Sequence, residues 1–261
     1  MITRDDILKS ASKQTLKVLA NGGTGTGKTY LAFTFPKVAY IGTEPNGIDT
    51  AKANPELLEN LVYADEFIPS PTEDIKVTFE RMDAFLTQAH KDALEGKVET
   101  LVLDNVTFLS ENRWMFINQH QKLVTAQGAL DTRGMYGTLS RWLYQFTLTK
   151  ILSFKGNVVV TCHEQIEGEE AMDRKVDKTT PIVPAIIGGF REKIAGMFSA
   201  SIYLQKKRVV KNSVTNYEYV ARCQVGDQRS AKNRYNLPEI VENVSYKRII
   251  DSINTGTTAK Q

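Results

Sequence analysis

Two cysteines in 261 residues leave no material for a disulfide framework or a cysteine-built metal site. Cys162 and Cys223 each sit inside a strand-like apolar run, which points to buried thiols in a reducing compartment. No apolar run approaches the roughly 18 residues needed to span a bilayer, and the opening "MITRDDILKSASKQ" lacks the apolar centre of a secretion signal. The chain is therefore expected to be soluble and cytoplasmic, with no membrane partner. Internal repeats and low-complexity blocks are missing too, which excludes a solenoid. With 41% hydrophobic and 24% charged residues there is enough to bury one large core, expected over 1–254, with 255–261 as a flexible tail. The net charge of +3 is unevenly spread: residues 201–250 hold ten Lys and Arg against four Asp and Glu, a local +6 that leaves −3 elsewhere. Such a region suits a polyanion, although a solvated charged face has the same composition.

Along the chain, "TLKVLAN" (15–21) reads as a strand, "GGTGTGKT" as a glycine-rich turn and "GKTYLAFTF" (27–35) as the helix behind it. "KVAYIGT" (37–43) has a buried-strand pattern, and "EPNGID" marks a turn that puts Glu44 at a strand end. Ile75, Phe79, Met82, Phe85, Leu86 and Ala89 recur at helical spacing behind "PSPTED", so an amphipathic helix is expected over 72–93. "VETLVLDNV" (98–106) is an apolar strand ending in Asp104, "NVVVTCHEQ" (157–165) is another, and a helix-patterned segment precedes each. This alternation predicts an α/β fold, a mainly parallel sheet flanked by helices. The segment 203–225 predicts a C-terminal β-hairpin, "SYKRIIDSI" a closing helix and "RDDILKSA" an opening one. Two segments without periodicity, 125–138 and 163–189, are expected to be long functional loops.

"GGTGTGKTY" fits G-x-x-x-x-G-K-[ST]. Gly22, Gly23, Gly25 and Gly27 let the backbone turn so that N–H groups along Thr24, Thr26 and on to Tyr30 converge on an anion, while Lys28 reaches the β and γ phosphates and the Thr29 hydroxyl binds Mg²⁺. Asp104 is placed to hold the metal's water shell; without the glycine loop it would read as a cap. Activating water also requires a base, and Asn105, which follows Asp104, takes no proton. Glu44 is the better candidate, since parallel strands deliver their C-terminal ends to one crevice. The loop by itself does not choose between ATP and GTP.

"KVAYIGTEPNGID" followed by "LVLDNVTFL" resembles the RecA-type P-loop NTPase core, in which a catalytic glutamate follows the second strand. That resemblance implies ATP as substrate, Glu44 as base, and a γ-phosphate sensor after "NVVVTC", where His163 and Gln165 both stand. "GGFREKIAGMFSASIYL" (188–204) resembles the family's return from its second DNA loop through a helix into a strand. "AKNRY" (231–235) resembles the K-N-R-F motif of the RadA-type branch, which implies that Lys232 and Arg234 reach a neighbouring subunit's ATP site and that the chain self-associates. The compact plan is most similar to the short RecA-core ATPases of bacteriophages, implying single-stranded DNA binding in annealing or recombination, in the host cytoplasm and with a single-strand-binding protein as a further partner.

For DNA, the long loop mixes Arg174, Lys175 and Lys178 with many carboxylates, so the stronger polyanion signal is 206–211 and 229–234, with Tyr203 and Tyr235 nearby as stacking candidates. Rival readings are a small-molecule phosphotransferase, a helicase loader or clamp-loader-like ATPase, and a nucleotide-gated DNA-binding module with negligible turnover. A clamp-loader-like site would carry an acidic residue after Asp104, where this chain has Asn105.

Overall fold

A computed structural model describes residues 15–258 apart from 122, 168–179, 212–213, 225–228 and 230. The opening helix expected at 4–11 and the charged stretch containing Arg174, Lys175 and Lys178 lie outside the described residues. Strands β1 (Lys17–Asn21), β2 (Val38–Gly42), β4 (Thr100–Asp104) and β5 (Asn157–Cys162) form the centre of a sheet whose order is β11-β9-β8-β1-β5-β4-β2-β3. Here β3 is Leu61–Glu66, β8 Ala200–Lys211, β9 Val214–Arg222 and β11 Ile240–Glu242, and β10 (Lys232–Asn233) pairs with β8. Pairing is parallel from β8 through β1 to β3, and antiparallel among β8, β9, β10 and β11. The expected α/β architecture, a mainly parallel sheet flanked by helices with a C-terminal hairpin, is the observed one.

Alternation along each strand supplies two cores. Leu101 and Leu103 of β4 face α4 (Ile75–Leu94), α5 (Val106–His120) and α6 (Thr132–Phe146), joining Met82, Leu109 and Leu139. Val102, between them, faces the opposite side with Leu31 of α1 (Lys28–Phe33) and Ile249 of the last helix, α8 (Tyr246–Thr258). Two short helices, α2 (Asp49–Lys52) and α3 (Pro55–Leu58), precede β3, and α7 (Arg191–Met197) precedes β8. Helix α4 starts where Asp74 accepts from the Lys76 amide at 2.8 Å and ends before Gly96, whose φ of +73° breaks the helical run. Both cysteines are buried free thiols, and burial pushes each up to about 12.

Three expectations change. The segment 125–138 is a loop only as far as Asp131, whose side chain caps α6 by accepting from the Gly134 amide at 2.8 Å. Gly134 and Gly137 weaken the local helix signal, while Met135, Leu139 and Leu143 carry the buried stripe. Within 163–189, β6 (Glu164–Ile166) pairs with β7 (Ile182–Pro184), so both ends of that stretch are ordered as a small antiparallel ribbon. Helix α8 continues to Thr258, beyond the point where the terminal glycine and threonines predict fraying. Strand β3, which periodicity did not reveal, pairs with β2 at the sheet edge, where only one of its faces meets the core.

Candidate active site

The loop after β1 turns sharply because Gly25 and Gly27 adopt φ of +73° and +90°. At Gly27 a side chain is also excluded by contact, since an added Cβ would stand 2.7 Å from Tyr219 Cδ1. The turn delivers Lys28 to the first position of α1, buried at the C-terminal end of the sheet, where its ammonium donates to the carbonyls of Gly22 and Gly23 at 2.8 Å each. Burial pulls this ammonium below the usual lysine value, while the charges of Asp104 and Glu44 oppose that shift. A cleft of about 280 Å³ opens over the loop, lined by Thr24, Gly25, Gly27, Lys28, Thr29 and Tyr30 from the loop and α1, and by Glu44, Thr50, Asn54, His163 and Tyr219 from elsewhere.

Asp104 ends β4 and is 1% exposed. Three hydroxyls satisfy its carboxylate: Thr29 donates at 2.7 Å, Tyr40 at 3.0 Å, and Thr161 of β5 donates to the other oxygen. Burial and the adjacent Asp104 push the Tyr40 phenol above its usual range, so it stays a donor. The Thr29 hydroxyl and Asp104 carboxylate offer hard oxygens at one point, and no group of three or more His, Cys, Asp or Glu forms a metal cage among the described residues. That donor set fits Mg²⁺, which binds through one or two protein oxygens, its waters and substrate phosphates. When bound, the ion would neutralise charge on the phosphates.

Glu44 follows β2 and lines the cleft together with Lys28. Its Oε2 accepts from Asn105 Nδ2 at 2.5 Å and lies 3.4 Å from His163 Nε2; His163 Nδ1 is 3.4 Å from Lys28 Nζ. The His163 hydrogen bond holds the Glu44 carboxyl below the usual carboxylate range against the opposing effect of burial, with help from the Lys28 charge and the Asn105 amide. Asn105 does two jobs: its Oδ1 caps α5 by accepting from the Phe108 amide at 2.9 Å, and its Nδ2 holds Glu44. Thr43 fixes the Asn105 backbone, donating to its carbonyl at 2.5 Å and accepting from its amide at 3.0 Å. Sequence reasoning used Asn105 only as an absent base. The helix-cap residue type directly after the strand was the available signal for its positioning role.

The structure thus gathers Lys28, Thr29, Glu44 and His163 on one cleft, with Asp104 buried behind Thr29 and hydrogen-bonded to its hydroxyl. Gln165 is not among its lining residues: the chain leaves the sheet at His163, and Gln165 sits in β6 opposite Val183. Lys232 and Arg234 do not reach this cleft either. Lys232 pairs with Ser201 and donates to the Gly196 carbonyl, Arg234 is exposed, and β10 lies toward the start of β8, away from the phosphate loop that follows β1. The stacking candidates are corrected. Tyr203 is 1% exposed, and Tyr235 is 9% exposed with its hydroxyl tied to the Lys17 amide at 2.8 Å and the Thr15 carbonyl at 3.2 Å. Lys206, Lys207 and Arg208 are exposed on the hairpin, whereas Arg229 is bound to Glu164 by two contacts of 3.0 and 2.9 Å. Among the described residues no helix is long and apolar enough to cross a membrane.

No curated protein sequence matches the chain. Among solved structures it is similar to the RadB recombinase, with a TM-score of 0.43 and 16% identity over 93% of this chain and 94% of that one. It is similar also to an ATPase from the type III secretion system of pathogenic bacteria, with a TM-score of 0.43 and 13% identity over 73% of this chain. The chain spans about half of that ATPase, 51% of its length. The family model described as AAA domain matches residues 14–235, from the strand before the phosphate loop to the last residue of "AKNRY". With the phosphate loop, Asp104 and Glu44 all inside that span, the chain belongs to the AAA-domain family of P-loop ATPases.

Proposed function

We propose that this ATPase hydrolyses ATP with Glu44 as the water-activating base, and that it binds single-stranded DNA in annealing or recombination. The observation that carries the first part is the placement of Glu44: Asn105 and His163 hold its carboxylate on the cleft that Lys28 and Thr29 line. An ionised carboxylate held by two neighbours through Oε2 keeps its other oxygen, Oε1, to take a proton from water, and Lys28 stabilises charge on the leaving phosphates. His163, between Lys28 and Glu44, is the group that reports on the γ-phosphate.

Support for the second part lies between the two segments singled out as DNA loops. A cavity of about 500 Å³ is lined by Trp114, Tyr136, Ile186, Gly188, Gly189 and Arg191, with Glu192 also among its lining residues. The Trp114 and Tyr136 rings stack 4.5 Å apart at 12°, and Tyr136 is 42% exposed. Arg133, Arg141 and Tyr144 are exposed on the same helix α6. Aromatic faces beside arginines suit unpaired bases and their phosphates. ATP turnover should therefore rise with single-stranded DNA more than with duplex or RNA, and the stimulation should fade with salt, each neutralised phosphate adding about 0.7 to the log–log slope. Turnover indifferent to every nucleic acid would favour a helicase loader or a small-molecule phosphotransferase.

Lys232 and Arg234 are assigned to a neighbour's cleft in a self-associated form. A mixture of Lys28→Ala and Arg234→Ala subunits should then regain part of the turnover that each lacks alone. No recovery at any mixing ratio would refute action in trans.

A further inference from the structure

Arg113 of α5 is a buried cation, 9% exposed, that no carboxylate among the described residues pairs. Aromatic rings from three helices surround its guanidinium instead. Cζ lies 4.1 Å from the ring centroid of Phe116 in α5, 4.6 Å from that of Trp142 in α6 and 5.4 Å from that of Phe79 in α4. Phe79 stands edge-on to both other rings, at 5.6 and 5.5 Å, and so joins them into a cage. Ring faces attract the charge but give its N–H donors no oxygen acceptor. Nε is enclosed without a hydrogen-bond partner, which leaves the Nη end as the accessible part of the fork. Burial alone pulls the group down to about 10, with no negative charge opposing it. The carboxylates one and four positions beyond Phe79 on α4 are engaged elsewhere: Glu80 with Lys76 at 3.5 Å, and Asp83 with Lys150 at 2.5 Å.

An uncompensated interior charge costs stability that an apolar side chain of like volume would not. The charge becomes favourable when an oxyanion seats on the fork, because a guanidinium–carboxylate pair shielded from water by rings is stronger than the same pair in solvent. A nucleic-acid backbone is tracked by a groove of several free cations, whereas here Lys76 and Lys150 are occupied by Glu80 and Asp83. One arginine among aromatic rings is instead the composition of an anchor point at a protein interface. We propose that Phe79, Arg113, Phe116 and Trp142 form a docking site for an acidic segment of a protein partner, one carboxylate pairing with the Nη end while an adjoining apolar side chain covers the rings. None of these four residues lines the ATP cleft, so the proposal does not depend on the ATPase reading.

Fluorescence anisotropy tests it, with the whole chain titrated into a labelled Glu-Asp-Leu-Glu-Phe peptide or its uncharged counterpart Gln-Asn-Leu-Gln-Phe, both amidated at the C-terminus. Wild type should prefer the acidic peptide by roughly 10- to 150-fold, the range for one hydrogen-bonded ionic contact. Arg113→Met should remove that preference, and Arg113→Lys should restore only part of it, because an ammonium lacks the planar fork. Should Arg113→Met fail to fold, the wild-type comparison of the two peptides still decides. Equal wild-type affinity for both peptides, or binding of neither, would overturn the proposal. So would an Arg113→Met protein that melts like wild type and keeps the preference. Displacement of the acidic peptide by a single-stranded oligonucleotide would give the cage to a phosphate backbone, which also overturns it.

Discussion

Glu44→Gln is expected to lower ATP turnover by about 10²- to 10⁴-fold, the usual contribution of a positioned general base, while nucleotide binding persists. The amide keeps the shape of the carboxylate, and the Asn105 amide, 2.5 Å from Oε2, can still donate to its oxygen, so the cleft should keep its form. What is lost is the ability to take a proton from water. Single-turnover quench experiments, run beside equilibrium binding, separate the two quantities. A variant that hydrolyses ATP at the wild-type rate would remove Glu44 from the chemistry, and one that loses binding as well would make it a structural support. Asn105→Ala gives a useful second reading, because it removes both the donor to Glu44 and the cap of α5. A fall in kcat beyond what the melting temperature explains would identify Asn105 as the positioning residue, and Asn105→Asp, which keeps the cap but not the donor, should retain the stability and not the rate.

Tyr136→Ala is expected to weaken single-stranded DNA binding by roughly 5- to 150-fold, the range for loss of one stacked base. Its ring is 42% exposed, so truncation costs little core, whereas Trp114 beneath it also packs against the main hydrophobic cluster. Stacking neutralises no phosphate. The slope of log affinity against log salt should therefore stay at the wild-type value in Tyr136→Ala and fall by about 0.7 in Arg191→Ala if that side chain meets one phosphate. Tyr136→Phe should bind like wild type. Unchanged affinity in Tyr136→Ala, measured by fluorescence anisotropy with a labelled oligonucleotide, would move the nucleic-acid surface away from this cavity and toward the exposed hairpin lysines 206 and 207.

Much of the architecture was legible because its signals are local. Glycine spacing, a terminal Asp on an apolar strand and a helical apolar stripe are properties of contiguous residues, and they located β1, α1, β2, β4, β5 and α4 within a few positions. Helix α6 was obscured by glycines that break the local signal, and β3 by its place at the sheet edge. The sequence by itself determined the phosphate loop with its Thr29 hydroxyl, an aspartate at the end of an apolar strand, and a glutamate at the end of the neighbouring strand. Only the tertiary structure decided that His163 faces Lys28 and Glu44 while Gln165 is carried off in a separate ribbon. It alone decided that Asn105 aims Glu44, that Tyr203 and Tyr235 are interior, and that Tyr219 arrives over Gly27. The physical reason is separation along the chain: each of these facts is a contact or a burial set by where strands pair in the sheet, and strand order leaves no mark on the local sequence.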